Sequence, residues 1–196
     1  MPRPYVPFDR WAKRAKEEGF LARSVYKLQE LDERFHLFAA GMRVLDMGAA
    51  PGSWLQYASQ RVGAAGHVLG LDLKDIGHVA LNVTTVVCDA LDAAAVERAI
   101  LAMKWEKVDL VVSDMAPSTS GIKDVDQWKS VQLNDAVLKL ANRWLKRRGA
   151  LVMKVFRGRN FDGFLREVKR VFPRVKTVTV RASRDRSREV YLVCQR

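Results

Sequence analysis

Hydrophobic positions along the chain switch repeatedly between two periods. Apolar or alternating runs at "MRVLDMG" (42–48), "GHVLGLDL" (66–73), "NVTTVVCD" (82–89), "VDLVVSD" (108–114) and "GALVMKVFRG" (149–158) predict β-strands. Between them, "SWLQYASQRV" (53–62), "AAAVERAILAM" (93–103) and residues 126–147 and 161–171 predict helices; in 126–147, Leu133, Val137, Leu140, Ala141 and Trp144 share one face. Two more helices are expected near the start, at 9–18 and at 22–37, the second on Val25, Leu28, Leu31 and Phe35. Strands separated by helices imply parallel crossovers and a doubly wound α/β sheet. The last two runs, "VKTVTVRA" (175–182) and "REVYLVCQ" (188–195), have no helix between them and are expected to pair antiparallel. The expected architecture is a seven-stranded mixed sheet with helices on both faces and the last strand antiparallel.

A chain of 196 residues with 48% hydrophobic content can bury one sizeable core, so a single domain is expected over 9–196, with 1–8 a flexible tail. Within it, 9–37 form a helical segment and 41–196 the sheet core. No apolar run approaches the roughly 18 residues of a membrane span, and the opening "MPRPYVPFDRW" has no apolar signal region. A cytoplasmic chain without a membrane partner is the expectation. Cys88 and Cys194 lie far apart and His36, His67 and His78 are scattered, so neither a disulfide framework nor a metal site is expected.

Charge is unevenly placed. Residues 1–40 hold 8 Lys/Arg against 6 Asp/Glu, 41–142 hold 9 against 12, and 143–196 hold 17 against 4, so the C-terminal part carries the net +12. A field of this kind suits a polyanion, and nucleic acid before membrane, because no strongly amphipathic basic helix accompanies it. The bland alternative is a basic surface that serves solubility. On the first reading Arg10, Lys13, Arg14, Arg23, Arg147, Arg157 and Arg186 are candidate RNA-binding residues on a continuous basic face.

In doubly wound sheets ligands bind beyond the carboxyl ends of the strands. Here four predicted strands end in acids: Asp46, Asp72, Asp89 and Asp114. Helix capping accounts for one or two of these, not for four. The first is followed by Gly48-Ala-Ala-Pro51-Gly52-Ser-Trp54, with alanine where a dinucleotide fingerprint has its second glycine, which speaks against NAD. Asp72 stands 20 residues beyond Gly52, a spacing that brings a carboxylate to ribose hydroxyls, and Asp89 can accept from an adenine amino group. A nucleoside without phosphates fits best, and S-adenosylmethionine, whose sulfonium tolerates acidic surroundings, is such a ligand. Asp46, Gly48, Gly52, Trp54, Asp72, Asp89 and Asp114 are its candidate contacts.

"LDMGAAPGSW", "SDMAPSTSG", "VMKVFRG" and "DRSREVYLV" occur in this order, and with these gaps closely resemble the FtsJ/RrmJ (RlmE) family of S-adenosylmethionine-dependent ribosomal RNA 2′-O-methyltransferases. The resemblance runs from about residue 10 to the C-terminus and implies a Rossmann-like methyltransferase fold. Ser53 departs from the family, which commonly has a glycine there. The family's Lys-Asp-Lys-Glu catalytic set falls on Lys27, Asp114, Lys154 and Glu189.

That assignment bears on an oddity of the run at 149–158, where Lys154 interrupts an apolar strand. A lysine whose stem lies along apolar surface while its head reaches water is the ordinary explanation. The resemblance implies instead a group placed at a ribose 2′-hydroxyl, and two roles stay open. As a neutral amine Lys154 takes the hydroxyl proton; as an ammonium it steers the oxygen. Burial and the charge of Lys27 favour the first state, Asp114 and Glu189 the second. Lys27 by itself reads as a solvated helix lysine, and Glu189 beside Arg188 as a surface ion pair; only the motif context reverses this. In "DMAP", Pro117 is followed by Ser118 rather than by the aromatic residue of base-amino methyltransferases, which favours a ribose acceptor.

The expected activity is methylation of a uridine of 23S ribosomal RNA in the peptidyl-transferase region of the preformed large subunit, with S-adenosylmethionine as cofactor and no metal. The alternatives are the same chemistry on transfer RNA or an RNA cap, and an RNA-binding module with a relic cofactor site.

Overall fold

Asp9 caps the first helix, α1 (Arg10–Glu17): its carboxylate accepts from the Trp11 and Ala12 amides, satisfying two donors that the helix start leaves orphaned. The computed structural model describes residues 9–117, 120–183 and 187–196. The expected tail at 1–8 and the candidate Arg186 lie outside these residues.

Among the described residues seven strands form one sheet: β1 (Arg43–Met47), β2 (His67–Asp72), β3 (Val83–Val87), β4 (Val108–Ser113), β5 (Leu145–Phe156), β6 (Arg174–Val178) and β7 (Glu189–Gln195). Their order is β3-β2-β1-β4-β5-β7-β6. The first five pair in parallel, and β7 runs antiparallel to both β5 and β6, giving the mixed sheet that the alternating runs predict. Chain order reverses between β1 and β4, so a switch point opens at their carboxyl ends, where Asp46 and Asp114 stand.

The helices divide between the two faces. α4 (Ala93–Ala102), α5 (Lys123–Trp144) and α6 (Phe161–Val171) cover one, packing on Leu45, Val111, Leu151, Met153 and Val190. α2 (Val25–Phe35) and α3 (Ser53–Val62) cover the other, on Val44, Leu110, Val112, Val152 and Tyr191. α1 leans on α2 through Ala15, Val25 and Tyr26, with Ala182 completing the cluster. Because side chains alternate along a strand, Asp46 shares the α2/α3 face with Val44, Lys154 with Val152, and Glu189 with Tyr191. Parity thus gathers the charged strand residues on the face that carries Lys27.

Two predicted boundaries are corrected. The helix expected at 126–147 begins at Lys123 and ends at Trp144. At its start, Ser120 donates its amide and hydroxyl to Asp126 Oδ1; at its end, Leu145 turns extended and buries itself opposite Val108, while Lys146 pairs with Asp109. The strand expected at 175–182 is hydrogen-bonded only to Val178. Beyond it α2 competes for the backbone: the Thr179 carbonyl accepts from Arg34 and the Arg181 amide donates to Glu30.

Candidate active site

Tyr191 is the hub of the charged cluster. Fully buried, it faces Lys154 across the β5–β7 ladder and donates to Asp114 Oδ1 at 2.5 Å. Lys154 Nζ lies 2.9 Å from the same carboxylate oxygen and also donates to the Asp114 main-chain carbonyl. On the other side Lys27 Nζ stands 5.9 Å from the centre of the Tyr191 ring and 2.6 Å from Glu189 Oε1, which in turn accepts from Ser183. The two lysines and two acids therefore form two ion pairs with one phenol between them. All four are largely withdrawn from water, with side-chain exposures of 9% for Lys27, 11% for Glu189, 8% for Lys154 and 19% for Asp114.

Each member is held by the fold. The Lys154 carbonyl accepts from Asn134, and the Phe156 amide donates to Ser130, so α5 fixes the end of β5 from the opposite face. Burial, and then the charge of Asp114, pushes the Tyr191 phenol well up, keeping it a hydrogen-bond donor. Burial alone would raise the Glu189 carboxyl, but the charge and hydrogen bond of Lys27, with Ser183, outweigh it and hold the group low.

Beside this cluster a cleft of about 300 Å³ opens at the switch point, lined by Gly48, Asp72, Asp89, Asp114, Met115 and Leu133 among others. Gly48 adopts φ +78°, and a Cβ there would overlap Met115 Cγ and crowd the Met115 main chain at 3.2 Å, so only glycine lets the loop pass this close. Asp72 accepts from the Ala50 amide at 2.9 Å and the Lys74 amide at 3.0 Å, which orients both oxygens and leaves each a lone pair. Asp89 accepts from the Leu91 amide at 2.9 Å. Asp46 lies beneath the loop, 1% exposed, with neither oxygen hydrogen-bonded among the described residues. Burial, then the charges of Asp114 and Asp72, drives its carboxyl well above the ordinary range. An orphaned acid with two acidic neighbours suits a cationic ligand. A larger groove of about 660 Å³ between α4, α5 and α6 adjoins this cleft at Ala90; of its acids, Asp135 is paired with Lys139 and Glu97 with Arg143.

Other candidates are placed differently. Trp54 does not line the cleft: it is buried in the α2/α3 core, its Nε1 donates to the Ser24 carbonyl, and its ring stands 6.2 Å from Tyr191. Gly52, at φ +109°, starts α3 and faces Leu21 and Ile76. Arg10, Lys13, Arg14 and Arg157 are exposed, with Arg14 hydrogen-bonded to Glu18 and Lys13 near Glu17. Arg23 is tied to the capping Asp9 at 2.6 Å. Arg147 precedes Ala150, itself four residues or roughly 13 Å before Lys154 on β5, so it stands toward the other end of the strands and the continuous basic face is interrupted. Tyr191 went unremarked in the sequence, although its place two residues after Glu189 puts both on one face. Among the described residues no group of His, Cys, Asp and Glu is arranged to hold a metal, and no helix is long and apolar enough to cross a membrane.

Comparison with known proteins follows the same lines. The family described as FtsJ-like methyltransferase matches residues 20–196. The ribosomal RNA large subunit methyltransferase E of Azoarcus sp. (strain BH72) is 45% identical over 190 residues, covering 94% of this chain and 90% of that protein. That of Desulfatibacillum aliphaticivorans is 42% identical over 186 residues, covering 94% and 88%. A crystal structure of a ribosomal RNA methyltransferase from Plasmodium falciparum superposes with a TM-score of 0.80 over 90% of this chain and 97% of that one; at 24% identity it bears on the fold alone.

Proposed function

The chain belongs to the FtsJ-like methyltransferase family, and from that premise we propose that it methylates a ribose 2′-hydroxyl of large-subunit ribosomal RNA, with S-adenosylmethionine as methyl donor. The acceptor is a uridine of the peptidyl-transferase region in the assembled subunit. The observation that carries this reading is the convergence of Lys154–Asp114 and Lys27–Glu189 on Tyr191 at the lip of an acidic cleft.

When bound, S-adenosylmethionine supplies an electrophilic methyl group on a sulfonium. Asp72 suits its ribose hydroxyls, Asp89 its adenine amino group and Asp114 the positive charge of its methionine end, while Asp46, buried and outside the cleft lining, adds its charge from behind the Gly48 turn. Lys154 acts on the acceptor. To take a proton, the ammonium of this ion pair must first release one to solvent; its two contacts to Asp114, one to the carboxylate and one to the carbonyl, then engage the two N–H groups that remain and leave the lone pair for an incoming hydroxyl. The hydroxyl proton then passes to Nζ as the oxygen takes the methyl. Tyr191 positions the Asp114 carboxylate, and Lys27 with Glu189 borders the ribose on its other side.

Undermodified large subunits incubated with labelled S-adenosylmethionine test this. A single 2′-O-methyluridine in the large-subunit RNA is the expected product. Label on a base nitrogen, or on transfer RNA alone, overturns it.

A further inference from the structure

Arg10, Trp11, Arg14 and Arg181 wall a pocket of about 370 Å³ that takes no part in the chemistry above. We propose that it is a subsite for a nucleotide flanking the target ribose, with the base against the Trp11 indole and the phosphate among the guanidinium groups. The proposal rests on the RNA reading given above and deepens it.

The lining has the chemistry of single-strand RNA recognition. Sequence-tolerant affinity for such strands comes from aromatic faces that stack bases beside cations that track the backbone. Here one indole stands with three arginines, and none of the four residues is acidic. The indole rests on Tyr26, ring centres 5.1 Å apart, and the Arg10 guanidinium lies 5.2 Å from its centroid, a place that a base can take when Arg10 turns to the adjoining phosphate. Arg14 is braced by Glu18 at 2.6 Å and lies 4.6 Å from the centre of the Tyr26 ring. Arg181, whose side chain is 84% exposed, reaches no closer than 3.9 Å to Glu30 and can swing to a phosphate.

The pocket is preformed and adjoins the reaction site. Ala15 packs with Val25, Tyr26 and Ala182, and Asp9 joins Arg23, so α1 is docked rather than loose. Tyr26, which supports the indole, precedes Lys27. Arg181 precedes by two residues Ser183, the donor to Glu189, and two residues of chain span at most about 7 Å. A nucleotide in the pocket is thus a near neighbour of one held between Lys27 and Lys154.

The test uses the full chain and an oligouridylate carrying a single 2-aminopurine, whose fluorescence falls on stacking. Binding to wild type should quench it; Trp11→Ala should remove most of the quenching and Trp11→Phe retain it, with S-adenosylmethionine affinity equal in all three. Because Trp11 also packs α1, a second variant alters only exposed side chains: Arg10→Gln with Arg181→Gln should flatten the plot of log affinity against log salt by roughly one unit per lost phosphate contact. Quenching that persists in Trp11→Ala, or an unchanged salt slope in the double variant, overturns the subsite. Neither measurement depends on methyl transfer, so a wild-type protein that modifies no ribosomal RNA while quenching as described defeats the proposed function and leaves the pocket standing.

Discussion

Lys154 Nζ stands 2.9 Å from Asp114 Oδ1, an ion pair made by the carboxyl ends of two neighbouring parallel strands. If Lys154 is the proton acceptor, Lys154→Ala should slow single-turnover methyl transfer by 10²- to 10⁴-fold, about 3–5 kcal/mol in the barrier, while cofactor affinity stays near wild type. Lys154→Arg should do little better, since a guanidinium stays protonated at any working pH. An arginine variant that kept most of the rate would make Lys154 an electrostatic guide instead.

Asp46 is a buried acid whose two oxygens have no hydrogen-bond partner among the described residues, and its carboxyl is driven up by burial and two neighbouring acids. A raised acid is at home in the fold when protonated, so its contribution to stability is full below its unfolded value and declines as pH rises toward the folded one. Asp46→Asn removes that decline: the cofactor-free variant should melt higher than wild type at neutral pH. It should also bind S-adenosylmethionine more weakly, while the neutral product S-adenosylhomocysteine loses less. Calorimetry on both ligands checks this, and equal losses would exclude a role for the negative charge.

Glu189 behaves oppositely. Held low by Lys27 and Ser183, it adds stability that is complete above its ordinary value of 4.5 and lost as pH falls through the depressed value. Glu189→Gln leaves Lys27 buried without its acid, which costs on the order of 3 kcal/mol at pH 7. The gap between variant and wild type in urea melts should close in acid. A gap constant from pH 7 to pH 3 would mean that packing, not charge, explains it.

Arg157 and Arg147 should separate in RNA binding. Arg157 follows Lys154 by three residues, just past the carboxyl end of β5, and its guanidinium lies 5.8 Å from the centre of the Phe161 ring. On a short single-stranded oligonucleotide, Arg157→Gln should flatten the salt slope by about one unit, and Arg147→Gln should leave it unchanged. Equal effects would place the RNA across both ends of the strands.

Much of this was legible in the chain. Alternation of apolar periods marked the elements, because burying one face of a strand or helix is a local demand written into neighbouring residues. The acids Asp46, Asp72, Asp89 and Asp114 marked the ligand end of the sheet for a similar reason: a strand end is recognisable from its own run. The motif context singled out Lys27 and Glu189. Tertiary structure decided what depends on other elements: that Lys27 on α2 and Glu189 on β7 meet at 2.6 Å, and that Tyr191 bridges toward Asp114. It also decided that Trp54 packs in the core and that Arg147 stands away from Lys154. Periodicity tells which way a side chain faces along its own element, whereas distances between elements are set by strand order and helix docking, which no local run contains.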